Sequence, residues 1–144
     1  MLQYDTQRRM AHYYNTKLFI SLIVIFNFII SLYALKFYSF SKILTNIKGI
    51  NKKYVLHKNS QHTRVVINLE RKLSNLLRIN KCFLSSYCIY KTLKEIGIDC
   101  KFIIGVAKEN KDEVKRNLIS HAWVEFSEIK DNNNDKFKKI LILQ

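Results

Sequence analysis

Residues 81–98 read KCFLSSYCIYKTLKEIGI, and this stretch decides the fold because it predicts a helix with one face packed on a sheet. Spacings of four and three bring five side chains onto that face: Cys82, Ser86, Ile89, Leu93 and Ile96. Gly97 follows the last of them and is a typical C-terminal stop for a helix. The stretch therefore predicts a helix over 82–96 with a thiol at its first position.

The segments on either side complete an α+β domain. Residues 65–79 predict a preceding helix with an apolar face formed by Val66, Leu69, Leu73, Leu76 and Leu77. Three strands are predicted after the helix over 82–96: Lys101–Ile104, which Gly105 closes, His121–Phe126 and Phe137–Leu143. A polar turn over 127–136 separates the last two. Helices followed by a small antiparallel meander predict an α+β fold for residues 65–144.

A hydrophobic segment precedes this domain. Leu18–Leu35 contains no charged residue, and as a helix it is about 27 Å long, enough to cross a hydrocarbon core. Lysines dominate the sequence after it, so the positive-inside rule predicts a single helix in the cell membrane with the domain on the cytoplasmic face. The alternative is a helix that lies in the membrane interface or packs on the domain. The chain then divides into a membrane-associated helix with its flanks (1–38), a basic linker (39–64) and the domain (65–144).

Composition restricts the partners and cofactors of the chain. A length of 144 residues leaves room for one domain beside the hydrophobic helix. Three cysteines without CxxC or Cys/His metal spacing indicate reduced thiols, and neither a disulfide framework nor a zinc site. The formal charge of +14 suits nucleic acid, anionic lipid or an acidic peptide. Because the lysines are scattered, we interpret the charge as compositional and expect no nucleic-acid partner.

Catalytic chemistry is predicted at Cys82 and His121, a thiol at a helix start and an imidazole at a strand start. The positive end of the helix dipole and the preceding lysine favour the thiolate, which is the nucleophilic form. Alternation along the strand turns His121 and Trp123 away from the apolar core face, toward the helix start or a cleft. There an imidazole can accept the thiol proton and later protonate a leaving amine.

A third group is needed to hold the other nitrogen of the imidazole. Candidates lie in the polar turn, where we prefer Asp131 and leave Asn133 and Asp135 open. The remaining thiols and imidazoles are interpreted as structural: Cys88 and Cys100 as buried side chains, and His12, His57 and His62 as surface residues.

Three motifs together resemble one known family. They are the helix over 81–98, which ends in Gly-Ile, the strand end FIIGVAK at 102–108, and HAWV at 121–124. In this order they are similar to the leader peptidases of lasso peptide biosynthesis, which are microcin-processing proteins with a transglutaminase- or papain-like fold. The resemblance covers residues 65–143.

That resemblance implies a cysteine peptidase that removes the leader from a ribosomally made precursor peptide through a thioester intermediate. Cys82 would be the nucleophile, His121 the general base and acid, and Asp131 the orienting carboxylate. Implied partners are the precursor, a separate leader-recognition protein, an asparagine-synthetase-like enzyme that forms the macrolactam, and usually an exporter. Some members of the family depend on ATP, but no residue here is assigned to ATP or to another cofactor.

Two other functions fit the same residues. A transglutaminase-like acyltransferase would form the same thioester and differ only in the nucleophile that resolves it. A non-catalytic, membrane-anchored adaptor with a basic face would not use Cys82 as a nucleophile at all.

Overall fold

A computed structural model describes residues 2–54, 56, 60–79, 82–109, 117–126 and 136–144. Side chains are described for these residues except at 2–14, 108–109 and 117–118. Four helices precede three strands along the chain. They are α1 (Leu2–Phe37), α2 (Phe40–Lys48), α3 (Ser60–Leu76), α4 (Cys82–Glu95), β1 (Cys100–Glu109), β2 (Asn117–Phe126) and β3 (Lys138–Leu143). The predicted α+β class, with helices before a small antiparallel sheet, is confirmed.

Helix α4 lies at the centre of the domain. Leu84 and Cys88 pack against α1 at Phe28, while Tyr90 contacts Phe102 of the sheet at a centroid distance of 5.8 Å. The helix ends at Gly97, which has a φ of 83°, and the amide of the next residue donates back to the Leu93 carbonyl at 2.8 Å. The predicted helix and its stop are confirmed. However, α4 is buried on nearly every side rather than on one face, because α1 and α3 cover much of what the sheet does not.

The C-terminal part of helix α1 is predominantly apolar but has two different faces. Residues Asn15–Phe37 form one helix long and apolar enough to span a membrane. One face is buried in the domain: Ile20, Ile23, Val24, Asn27, Phe28, Ser31 and Ala34. Each fully buried aliphatic side chain of this kind stabilises a fold by about 1.5–3 kcal/mol. This face of α1 is therefore part of the hydrophobic core.

A polar network fixes α1 to the end of α4. The Asn27 amide donates to the Thr92 hydroxyl at 3.1 Å and to the Glu95 carboxylate at 2.7 Å. The Lys53 ammonium donates to the other oxygen of Glu95 at 2.7 Å, and this hydrogen bond raises the pKa of Lys53. The backbone amides of Lys53 and Tyr54 donate to the Glu95 carbonyl. Glu95 thus joins three segments of the chain.

The segment predicted as a basic linker, 39–64, carries part of the core. It contains α2, in which Ile43 and Ile47 are buried. α3 also begins within it, at Ser60. Together with the contacts of Lys53 and Tyr54 to α4, these features pack much of the segment onto the domain.

The sheet has the strand order β2-β1-β3, with both pairs antiparallel. The predicted meander is wrong, because β1 rather than β2 occupies the centre and β3 returns to pair with β1. β1 also continues beyond Gly105, which pairs with His121 instead of ending the strand. Ala122 is buried, with Val124 and Phe126 packed against the same core, so the predicted inward face of β2 is confirmed.

Candidate active site

The three thiols have different environments. Cys82 is exposed at the start of α4, whereas Cys88 and Cys100 are buried. Burial raises the pKa of the Cys88 thiol to about 12 and that of the Cys100 thiol to about 12. The interpretation of these two cysteines as buried side chains is confirmed, and both remain protonated at neutral pH. Of the three, Cys82 is therefore the thiol available to solvent and to a substrate.

The buried thiols make the fold sensitive to alkali. Between about pH 9 and pH 12 the folded state keeps these two protons while the unfolded state loses them, so the free energy of unfolding falls as pH rises, by about 1.4 kcal/mol per pH unit for each thiol. We expect urea unfolding of the full chain between pH 8 and pH 10 to give a shallower pH dependence for Cys88→Ala or Cys100→Ala than for wild type. Equal slopes in all three proteins would contradict this assignment.

Cys82 opens onto a cleft of about 400 Å³ between α3 and α4. Its lining is both polar and apolar. The polar side chains include those of Glu70, Arg71, Ser74 and Ser85, and the apolar ones are Ile67, Ile79 and Ile89. The cleft is therefore lined by three isoleucines among a larger number of polar and charged side chains.

A buried carboxylate, Glu70, lies in this cleft and was not foreseen from the sequence. It is 3% exposed, and one of its oxygens, Oε1, accepts hydrogen bonds from Ser74 and Ser85, each at 2.6 Å. The predicted face of α3 is rotated relative to the observed one. Leu76 and Leu77 are exposed, while Val66, Glu70 and Ser74 are buried. In the sequence, Glu70 and Ser74 follow Val66 at intervals of four residues, which places all three on one face of the helix. This spacing was the available signal for the observed buried face.

The N-terminal part of α4 is joined to the strand that carries His121. The Ser86 hydroxyl donates to the backbone carbonyl of Ala122 at 2.8 Å. Ser86 lies one helical turn after Cys82, about 40° around the helix from it, and Ala122 is the residue next to His121. Viewed down the helix axis, Cys82 therefore lies between Ser86, which faces β2, and Ser85, which faces the cleft. The structure brings the backbones of the two predicted catalytic segments together.

The His121 ring lies on the outer face of the sheet, opposite the face that packs on the helices. It stacks on Phe137 at a centroid distance of 5.0 Å and on Trp123 at 5.9 Å. Gly105 lies beneath these rings, and a Cβ there would meet the Trp123 ring at 2.8 Å. The glycine is required because the aromatic layer rests directly on the backbone of β1. The prediction that His121 and Trp123 share the face turned away from the core is confirmed. The prediction that this face looks toward the start of α4 or a cleft is wrong, because the rings pack on Phe137 on the side of the sheet opposite the helices.

Glu125 holds this aromatic layer in position. Its carboxylate accepts hydrogen bonds from the Trp123 indole at 3.1 Å and from the Lys139 ammonium at 2.6 Å. Burial acts to raise the pKa of Glu125, but these two hydrogen bonds outweigh it, and the pKa is lowered. Glu125 is therefore ionised and bonded to β3 at neutral pH, which fixes the ring beside His121.

The candidates for the third catalytic residue, Asp131, Asn133 and Asp135, lie outside the described residues. The chain is described again from Lys136, and the next residue, Phe137, stacks on His121. His62, interpreted from the sequence as a surface residue, is buried within α3. His12 and His57 lie outside the part of the chain whose side chains are described.

Within the described ranges, no group of three or more His, Cys, Asp or Glu side chains could hold a metal ion. Comparisons with models of protein families, with curated proteins and with solved structures find no match to this chain.

Proposed function

We propose that this chain is a transglutaminase-like cysteine peptidase that removes the leader from a ribosomally synthesised lasso peptide precursor, at the cytoplasmic face of the cell membrane. One observation carries the proposal: of three thiols, Cys82 alone is exposed, at the start of a helix and in a cleft. The three motifs that resemble the leader peptidases surround this thiol and His121. The placement at the cytoplasmic face is supported by the three cysteines, all of which are free, as is typical of a reducing compartment.

In the proposed reaction the Cys82 sulfur attacks the carbonyl carbon at the end of the leader. The first amides of α4 have no partners within the helix, so they are suited to donate to the developing oxyanion. The first turn of α4 contains no acidic residue that would oppose this negative charge. Collapse of the tetrahedral intermediate forms a thioester with the leader and expels the amine of the core peptide. Water then cleaves the thioester and restores the thiol.

His121 is proposed to accept the thiol proton and to return it to the leaving amine. Its ring rests on the outer face of β2, whereas α4 packs on the inner face. The proposed proton transfer requires the ring to leave its stack on Phe137 and Trp123 and to reach round β2, which is an edge strand in the sheet. The Ser86–Ala122 hydrogen bond keeps β2 beside the N-terminal part of α4. Catalytic hydrogen bonds of this kind often tighten only when substrate is bound.

The cleft beside Cys82 is proposed to hold the segment of precursor next to the scissile bond. Its isoleucines provide apolar contact, and the Ser74–Glu70–Ser85 cluster keeps the side near Cys82 polar. Asp131 is proposed to orient His121, with Asn133 and Asp135 as alternatives. A separate protein would bind the leader, and an asparagine-synthetase-like enzyme would close the ring of the released core. ATP is assigned to no residue.

The masses of the products test this function. We expect the full chain, mixed with a precursor encoded beside its gene and the leader-recognition protein from the same locus, to release a leader with a free carboxylate. A leader joined to an added amine would instead indicate the transglutaminase-like acyltransferase, because both reactions share the thioester. An intact precursor, under conditions in which the chain is folded, would favour the non-catalytic adaptor.

A further inference from the structure

We propose that α1 lies in the plane of an anionic lipid surface while it remains packed on the domain, rather than crossing the bilayer. The outward face of α1 is a continuous apolar stripe. Six of its side chains are each more than half exposed: Leu18, Leu22, Phe26, Ile29, Tyr33 and Phe37. The stripe is about 28 Å long, and contiguous apolar surfaces of this kind are rare on soluble proteins unless they bind a partner or a membrane.

The inward face of α1 explains why the helix stays on the domain. Asn27 lies at the middle of the apolar segment, is 1% exposed, and donates to the Glu95 carboxylate at 2.7 Å. A spanning helix would have to break this bond and put the amide into hydrocarbon, where polar groups without partners are costly. It would also expose the core side chains Val66 and Leu93, which share a cluster with the inward face of α1.

The charges of the chain select anionic lipid as the occupant of the stripe. Lys17 and Lys36 are both exposed and flank the two ends of the stripe. The Lys36 ammonium lies 5.4 Å from the centroid of the Phe37 ring, next to the apolar face. Long basic side chains reach from such a position to lipid headgroups. A second copy of the chain is a poor occupant, because each copy carries a formal charge of +14 and the two would repel each other.

Aromatic residues at the C-terminal end of the stripe fit the same occupant. Tyr33 contacts Phe37 at a centroid distance of 4.4 Å and Tyr38 at 6.2 Å, and all three rings are exposed. The two tyrosines have an apolar body and a polar tip, and such rings favour the boundary between headgroups and acyl chains. The attachment requires no activity of Cys82 and stands apart from the proposed peptidase function.

Depth-dependent quenching of tryptophan fluorescence distinguishes the two geometries. The full chain with Trp123→Phe receives one tryptophan in place of Phe19, Phe26 or Phe37, and is mixed with phosphatidylglycerol vesicles brominated at shallow or deep acyl positions. We expect shallow bromine to quench all three most strongly, because an in-plane helix is buried only about 5–10 Å into the interface. The same replacements in the chain that keeps Trp123 give the same ranking if Trp123→Phe fails to fold.

Two results would overturn the proposal. Strongest quenching of the Phe26→Trp protein by deep bromine, with shallow quenching at both ends, would mean that α1 spans the bilayer. No quenching at any of the three positions would mean that the stripe does not meet lipid.

A separate measurement tests the preference for anionic lipid. Lys17→Gln and Lys36→Gln should each weaken partitioning into phosphatidylglycerol vesicles roughly five-fold and leave binding to phosphatidylcholine vesicles unchanged. Equal binding of wild type and variants to both lipids would refute the electrostatic part.

Discussion

Cys82→Ala is expected to abolish cleavage of the precursor, with a loss of at least about 10⁴-fold in kcat/KM. The reason is that alanine cannot form the thioester, and the nearby thiols cannot replace Cys82 because burial raises their pKa values to about 12. Because Cys82 is exposed, its truncation leaves no cavity, and the free energy of unfolding should change by less than about 0.5 kcal/mol. The measurement is the initial rate of leader release, followed by mass spectrometry.

Cys100→Ala is the matched control for this substitution. It removes a buried thiol from β1, so it should lower stability by about 1 kcal/mol while cleavage continues at a rate close to that of wild type. The account fails if the Cys82→Ala protein still cleaves the precursor at the wild-type rate, or if cleavage is lost in the Cys100→Ala protein while its fold is intact.

Glu95→Ala is expected to cause the largest loss of stability, about 3–5 kcal/mol. This carboxylate is 3% exposed and accepts hydrogen bonds from Asn27 of α1 and from Lys53. Removal of the Glu95 carboxylate leaves the Asn27 amide nitrogen buried without its charged partner. The Oδ1 atom of Asn27 already has no hydrogen-bond partner among the described residues. Urea unfolding of the full chain in a nonionic detergent, followed by circular dichroism, gives the free energy difference.

Two substitutions separate the contributions to this network. Glu95→Gln keeps an acceptor for Asn27 and should cost less than Glu95→Ala. Lys53→Met removes a cation whose side chain is 59% exposed, so it should cost no more than about 1 kcal/mol. If Glu95→Ala is as stable as Lys53→Met, then the contact with Asn27 does not hold α1 to the domain.

Local patterns in the sequence were sufficient for the elements that carry Cys82 and His121. Helical spacing and the glycine stop gave α4, and the alternation of apolar residues gave the inward face of β2. These predictions succeeded because each depends on neighbours within a few positions in the chain. The placement of His121 on the face opposite Ala122 follows from the same alternation.

Features that depend on distant contacts could not be obtained in the same way. The apolar segment of α1 carries no charged face to indicate its orientation, so its docking through Asn27 was not predicted. The order of the strands depends on pairing between β1 and β3, which are separated by all of β2. Glu70 was missed because a glutamate on a mixed helix is ordinarily a surface residue, and the serine of α4 that binds it belongs to another element.

Titration of the protein with iodoacetamide tests the central claim, that Cys82 is the nucleophile, most directly. Peptide mapping gives the fraction of each cysteine that is modified, and the same samples are assayed for release of the leader. We predict that Cys82 reacts first, since the other two thiols are buried and protonated, and that activity falls in proportion to its modification. Full activity in protein whose Cys82 is completely carbamidomethylated would contradict the account.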